Sequence, residues 1–239
     1  MSTFSKQFIF GTFYSIIGQF GAMIISLVAN IILARILTPF QFGQVGIIMF
    51  FIIVTNVITE SGMGGALVRA SEIKKEDYST VFVFNLVMSF LCYVFLVIFS
   101  GFISNFYNDP SLQILIIVSS SILIFNSLQI TQNARLMREM KFRNKSIYKF
   151  ISVLFSSIIG IILALNGLGV WSLVLMQVLS SIFMTLILWY FEGFFFNFYF
   201  SKSSFRKLYK FGLNTTLASL IDTLFDNIYQ LIIGRYFSI

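Results

Sequence analysis

Two carboxylates four residues apart, Asp222 and Asp226, stand in an otherwise apolar stretch of this sequence. In a helix that spacing puts both on one face. Charge inside hydrocarbon is costly, so such a pair is a functional hypothesis by default. A paired acidic face suits a cation site, or proton uptake if neighbouring charge raises a pKa. Buried glue between helices is the structural alternative. Asn214 and Asn227 add polar atoms nearby. Two arginines, Arg35 and Arg235, close apolar runs at matching places. Each could snorkel to lipid phosphate, or receive an anionic sugar or pyrophosphate on its planar fork. Glu60 ends another apolar run, with Arg69 as a partner for a gate salt bridge. Between them, Gly62, Gly64 and Gly65 break the helix and suggest a hinge. Gln19, Asn30, Asn56, Asn85 and Asn126 sit in or near apolar runs, as helix glue or as cavity lining. Gly18 and Gly21 would let another helix approach closely.

The elements that position these groups follow from composition. The 239 residues are 58% hydrophobic and 10% charged. Soluble domains carry about a quarter charged residues, so the solvent is lipid. The chain has no histidine and one cysteine, Cys92. The commonest metal ligand and acid–base group is therefore missing. No intrachain disulfide can form, and no catalytic residue, metal site or cofactor is expected.

A bilayer core of roughly 30 Å takes about 20 apolar residues as helix. By that measure about seven spans are expected, over 10–34, 42–59, 80–102, 112–130, 147–165, 170–191 and 211–233. The first run is long enough to span and reads as a retained helix, not a signal peptide. The stretch 191–200 reads as an interfacial aromatic segment. The turns at 108–110 and 166–169 are tight, which makes the spans they join antiparallel neighbours. Residues 135–149 read as a short surface helix against anionic headgroups.

The net charge of +7 does not point to nucleic acid, because the basic residues lie in short loops between apolar runs. Fourteen of the sixteen Lys and Arg residues fall on the side that carries the N-terminus. Only Arg35 and Arg235 fall on the other, which makes the N-terminal side cytoplasmic.

The two outer arginines mark a repeat. Ile31-Ile32-Leu33-Ala34-Arg35 aligns with Leu231-Ile232-Ile233-Gly234-Arg235, and both runs are entered through Lys and Phe-Gly. The offset is about 200 residues. Parallel repeats about an axis normal to the membrane are a transporter plan. The expectation is a six-span lobe over 1–200, with 201–239 opening a second lobe that the chain does not finish.

Leu33-Ala34-Arg35-Ile36-Leu37-Thr38-Pro39-Phe40-Gln41-Phe42-Gly43 resembles the first outer-loop signature of bacterial polysaccharide exporters. These include the O-antigen and capsule flippases of the multidrug/oligosaccharidyl-lipid/polysaccharide (MOP) exporter superfamily. Glu60 to Arg69 is similar to the segment those proteins carry after their second span. Phe40-Gln41 departs from the acidic residue often found there. The resemblance covers about the N-terminal half of a usual member. It implies an all-α polytopic membrane protein of MATE/MurJ-like architecture, and no enzyme. It implies transport of an undecaprenyl-pyrophosphate-linked oligosaccharide across the bacterial cytoplasmic membrane, by alternating access and driven by H+ or Na+. Membrane lipids and a polysaccharide polymerase would be its partners. A drug/cation antiporter of the same superfamily is the rival reading. A membrane-embedded glycosyl- or acyltransferase is a second alternative, and a non-transporting scaffold a third.

Overall fold

The computed structural model describes residues 3–60, 62–193 and 198–236, with side chains for residues 16, 18–60, 62–193 and 198–228. The described residues form eight helices and no strand. In order they are α1 (Thr3–Ile36), α2 (Pro39–Glu60), α3 (Met63–Arg69), α4 (Lys75–Tyr107), α5 (Ser111–Arg138), α6 (Phe142–Leu165), α7 (Val170–Glu192) and α8 (Lys202–Tyr236). Six of them, α1, α2, α4, α5, α6 and α7, are long and apolar enough to cross a membrane. Helices dominate because hydrocarbon offers no partner to a backbone N–H, so each must be satisfied along its own chain.

The only two prolines both sit at helix starts. Pro39 opens α2 and Pro110 precedes Ser111 of α5. There the missing N–H is an orphan in any case. Asn108, at φ 54°, turns the chain out of α4 and accounts for the tight loop into α5. As the tight turns imply, α4 packs along α5, and α6 along α7. The sequence did not reveal that α1 packs along α6. Gly18 makes that contact close: a Cβ there would lie 2.5 Å from Cβ of Ser146. Gly160 plays the same part between α6 and Met176 of α7.

One apolar core runs through the bundle on Leu33, Ile48, Leu112, Leu123 and Leu173. A second, on Met63, Leu67, Val81, Ala134 and Leu208, joins α3 to the starts of α4 and α8. Side-chain hydrogen bonds fix the register between helices. Ser89 donates to Ser127 at 3.0 Å. At the opposite end, Gln44 donates to Asp109 at 2.6 Å and to Ser111 at 2.7 Å.

Three local expectations need correction. Residues 135–149 hold no separate surface helix. Instead α5 continues to Arg138, the chain turns at Met140 (φ 54°), and α6 begins at Phe142. The Arg135–Glu139 pair at 2.6 Å supports the last turn of α5. Arg138 meanwhile donates to the carbonyls of Leu67 (2.9 Å), Val68 (3.3 Å) and Ala70, at the C-terminal end of α3. Second, the glycines after α2 do not act alike. Gly62 has φ 58° and sits ahead of α3, whereas Gly64 and Gly65 are inside α3. Third, the span expected over 211–233 lies within a longer helix, α8. Over its described residues α8 is not among the six membrane-crossing helices; Asp222, Asp226 and five basic residues fall there. Of the aromatic segment, Phe194 to Asn197 lie outside the described residues. Phe198 packs edge-on to Phe82, with ring centroids 5.6 Å apart.

The start of α8 is clasped to the start of α4 and the loop before it. Lys207 donates to the carbonyl of Glu72 at 2.8 Å and reaches Asp77 at 3.5 Å. The Ser201 N–H donates to Thr80 at 3.1 Å.

Candidate functional site

Four helices each turn a polar stripe inward. On α6 the stripe is Lys145, Lys149, Ser156 and Ser157, at the spacing of one helix face. Gln129 and Asn133 on α5, Gln177 and Ser180 on α7, and Gln19 and Ser26 on α1 complete it. Together they line a cavity of about 820 Å³. Gln129, Lys149, Gln177 and Ser180 also line a neighbouring cavity of about 390 Å³, which reaches Asn56 on α2 and Asn126 on α5. The two spaces thus share a wall inside an apolar bundle.

The charge of this interior is its most telling property. Two ammonium groups line the larger cavity and no carboxylate does. Lys149 lies seven residues into α6, about 10 Å along the helix at 1.5 Å per residue. An ammonium at that depth is expensive unless water or an anion meets it. Like charges one turn apart add to that cost. Glu60, at the end of α2, interacts with the charge of Lys145.

Between the cavities runs a hydrogen-bonded latch. The Gln129 amide donates to the carbonyl of Ser181 and to the Thr185 hydroxyl, each at 2.9 Å. Ser181 donates to Asn126 at 2.7 Å, and Asn126 donates to Asn56 at 3.1 Å. This chain ties α7 through α5 to α2. At the end of α7, Glu192 accepts from the Tyr148 hydroxyl at 3.0 Å and lies 3.8 Å from Lys141.

The residues singled out from the sequence are distributed differently. Asp222 and Asp226 lie on one face of α8, as the spacing requires. Both are exposed, and neither has an ion-pair partner among the described residues. Arg35 is exposed at the end of α1. Arg235 falls in α8, but its side chain lies outside the described residues. Glu60 and Arg69 form no ion pair among the described residues. The Arg69 guanidinium lies over the Phe211 ring at 5.0 Å instead. Gly62 meets α8: a Cβ added to it would lie 2.5 Å from the Gly212 carbonyl oxygen. Gly64 faces Ile130.

Sequence reasoning missed Lys145 and Lys149 as cavity residues. It assigned both to a short basic surface helix over 135–149, whereas α6 begins at Phe142 and carries both. The signal was present in outline. Polar residues recurred every three or four positions in four separate apolar runs, but which runs face one another is a tertiary fact.

Comparison with known proteins agrees with this architecture. The polysaccharide biosynthesis protein family matches residues 32–239. The succinoglycan biosynthesis transport protein ExoT of Rhizobium meliloti is 27% identical over 169 residues, 71% of this chain and 34% of that one. An uncharacterized membrane protein in the cps region of Klebsiella pneumoniae is 22% identical, covering 94% of this chain and 47% of that one. The chain therefore spans between a third and a half of the length of these curated relatives. A MOP superfamily transporter from Pyrococcus furiosus has the same fold. Its TM-score is 0.61 at 18% identity, over 90% of this chain and 52% of that one. With six membrane-crossing helices and 208 of its 239 residues matched, this multi-pass membrane chain belongs to the polysaccharide biosynthesis protein family.

Proposed function

We propose that the chain serves as a membrane exporter that carries an undecaprenyl-pyrophosphate-linked oligosaccharide or polysaccharide precursor across the bacterial cytoplasmic membrane. The observation that carries this reading is the pair Lys145 and Lys149, facing a cavity of about 820 Å³ within an apolar bundle. A pyrophosphate has the charge to match two ammonium groups, and the polar stripes suit a hydroxylated cargo. A cationic drug would meet like charge, which disfavours the antiporter alternative.

In this reading residues 1–200 form one lobe and 201–239 open a second. The two are related by an axis along the membrane normal. The matched runs ending at Arg35 and Arg235 support that plan. Transport proceeds by rocking one lobe against the other, with the N-terminus cytoplasmic. Gly62, where the backbone breaks against Gly212, serves as the hinge. Gly64, Arg69 and Glu60 line the gate beside it. Asp222 and Asp226 take up the coupling H+ or Na+, and Arg35 and Arg235 hand the anionic headgroup to the outer leaflet. A polysaccharide polymerase would receive the cargo there.

The test is accumulation of cargo. A strain lacking the gene should pile up lipid-linked oligosaccharide on the cytoplasmic leaflet, and the gene restored with Lys149→Gln should clear it at least about tenfold more slowly than wild type, the rate equivalent of about 1.4 kcal/mol. A deletion strain with no accumulation refutes the proposal. For the coupling residues, Asp222→Asn with Asp226→Asn should abolish the dependence of transport on an imposed ion gradient. Unchanged dependence removes them from that role.

A further inference from the structure

Six amide side chains stand in the wall of the two joined cavities, Gln19, Asn56, Asn126, Gln129, Asn133 and Gln177, and they are not equivalent. Gln129 and Asn126 are spent on the protein. They hold the latch that joins α2, α5 and α7. Asn133 and Gln177 make no hydrogen bond among the described residues. The Oδ1 of Asn133 and the Oε1 of Gln177 are buried with no donor. Asn133 lies one turn from Gln129 on α5, and Gln177 lies one turn from Ser181 on α7. The two free amides thus flank the latch, and both line the cavity that holds the lysines.

A buried amide oxygen without a donor costs its full desolvation, and native structures seldom leave one without a reason. Here two such groups share one cavity. Each amide offers both an acceptor and donors. The complement to a group that both gives and takes hydrogen bonds is a hydroxyl. A carboxylate would only accept, and would face the amide oxygens unfavourably. We infer that Asn133 and Gln177 read an uncharged, hydroxyl-rich sugar of the cargo while Lys145 and Lys149 hold its anionic end. This rests on the function proposed above and assigns specificity, as distinct from charge recognition, to the two amides.

The experiment titrates the full chain in lipid nanodiscs with undecaprenyl pyrophosphate, and with the same lipid bearing one glucose or one galactose. The wild type should bind at least one sugar-bearing lipid about three- to tenfold tighter than the bare lipid, the yield of one or two neutral hydrogen bonds. Gln177→Leu and Asn133→Leu should each reduce that gain, with bare-lipid affinity held within about twofold. Neither should lower the thermal midpoint, since no protein hydrogen bond is lost, whereas Gln129→Leu should lower it. Gln177→Met supplies a second shape should the leucine variant fail to fold. The inference is overturned if the gain survives both substitutions, if bare and sugar-bearing lipids weaken equally, or if the wild type shows no gain. A wild type that binds none of these lipids overturns the proposed function itself, and the inference with it.

Discussion

Replacing Gly62 by alanine tests the joint between α3 and α8 in a way that can be worked from the structure. Gly62 has φ 58°, in the left-handed region, where a Cβ crowds the carbonyl and costs about 1–2 kcal/mol. The same Cβ would lie 2.5 Å from the Gly212 oxygen and 3.0 Å from its Cα. Both are backbone atoms of another helix, so the relief is a helix shift and not a rotamer change. Overpacking of that kind costs about 1–3 kcal/mol. The two contributions give about 2–5 kcal/mol of destabilisation. Gly65, three residues on, is the internal control. It is helical, and a Cβ there meets nothing within 4 Å. Gly65→Ala should stabilise by about 0.5–1 kcal/mol through helix propensity alone. Thermal unfolding of both variants in the same detergent, followed by Trp171 and Trp189 fluorescence, measures the contrast. At about 2–4 °C per kcal/mol for a chain of this size, Gly62→Ala should melt roughly 5–15 °C lower, and Gly65→Ala a degree or more higher. If the two variants melt together, the close approach of α3 and α8 is not a feature of the folded protein, and the hinge assigned to Gly62 goes with it.

Other substitutions test other joints. Arg138→Gln removes the guanidinium from the carbonyls of Leu67, Val68 and Ala70 and should cost about 1.5–3 kcal/mol, read as a lower midpoint and faster proteolysis between α3 and α4. Lys149→Gln should weaken binding of undecaprenyl pyrophosphate and flatten its dependence on salt, while Lys207→Gln, on the α8 clasp, should leave that binding unchanged. Burial works against the Glu139 carboxylate but is outweighed by hydrogen bonds from Lys141 and Arg135, which hold its pKa below the ordinary value. A carboxyl depressed in the folded state contributes stability above its unfolded pKa and loses it as pH falls through the folded one. Glu139→Gln should therefore lower stability at neutral pH and leave it nearly unchanged at acid pH below the folded pKa, flattening the acid limb, as a pH series of melting curves would show.

The sequence alone determined that this chain lives in a membrane and where six of its crossing helices lie. Six of the seven expected spans lie within helices long and apolar enough to cross, because hydrocarbon permits only a backbone that satisfies itself. The pairing of α4 with α5 and of α6 with α7 was legible too, since a short turn leaves no other neighbour. What the tertiary structure decided is which polar residues meet. Lys145 and Lys149 read as loop charges until α6 was seen to start at Phe142 and to turn that face toward α1, α5 and α7. Glu60 and Arg69 looked like a pair in sequence. The break at Gly62 instead sends Arg69 to Phe211 and leaves Glu60 facing the charge of Lys145. Gln129 and Gln177 are the same residue type in similar apolar runs, yet one holds the helices together and the other is left free toward the cavity. Periodicity fixes the face of a helix on which a side chain stands. Only the packing of helices around one another fixes what that face looks at, and in this protein that is where the cavity is made.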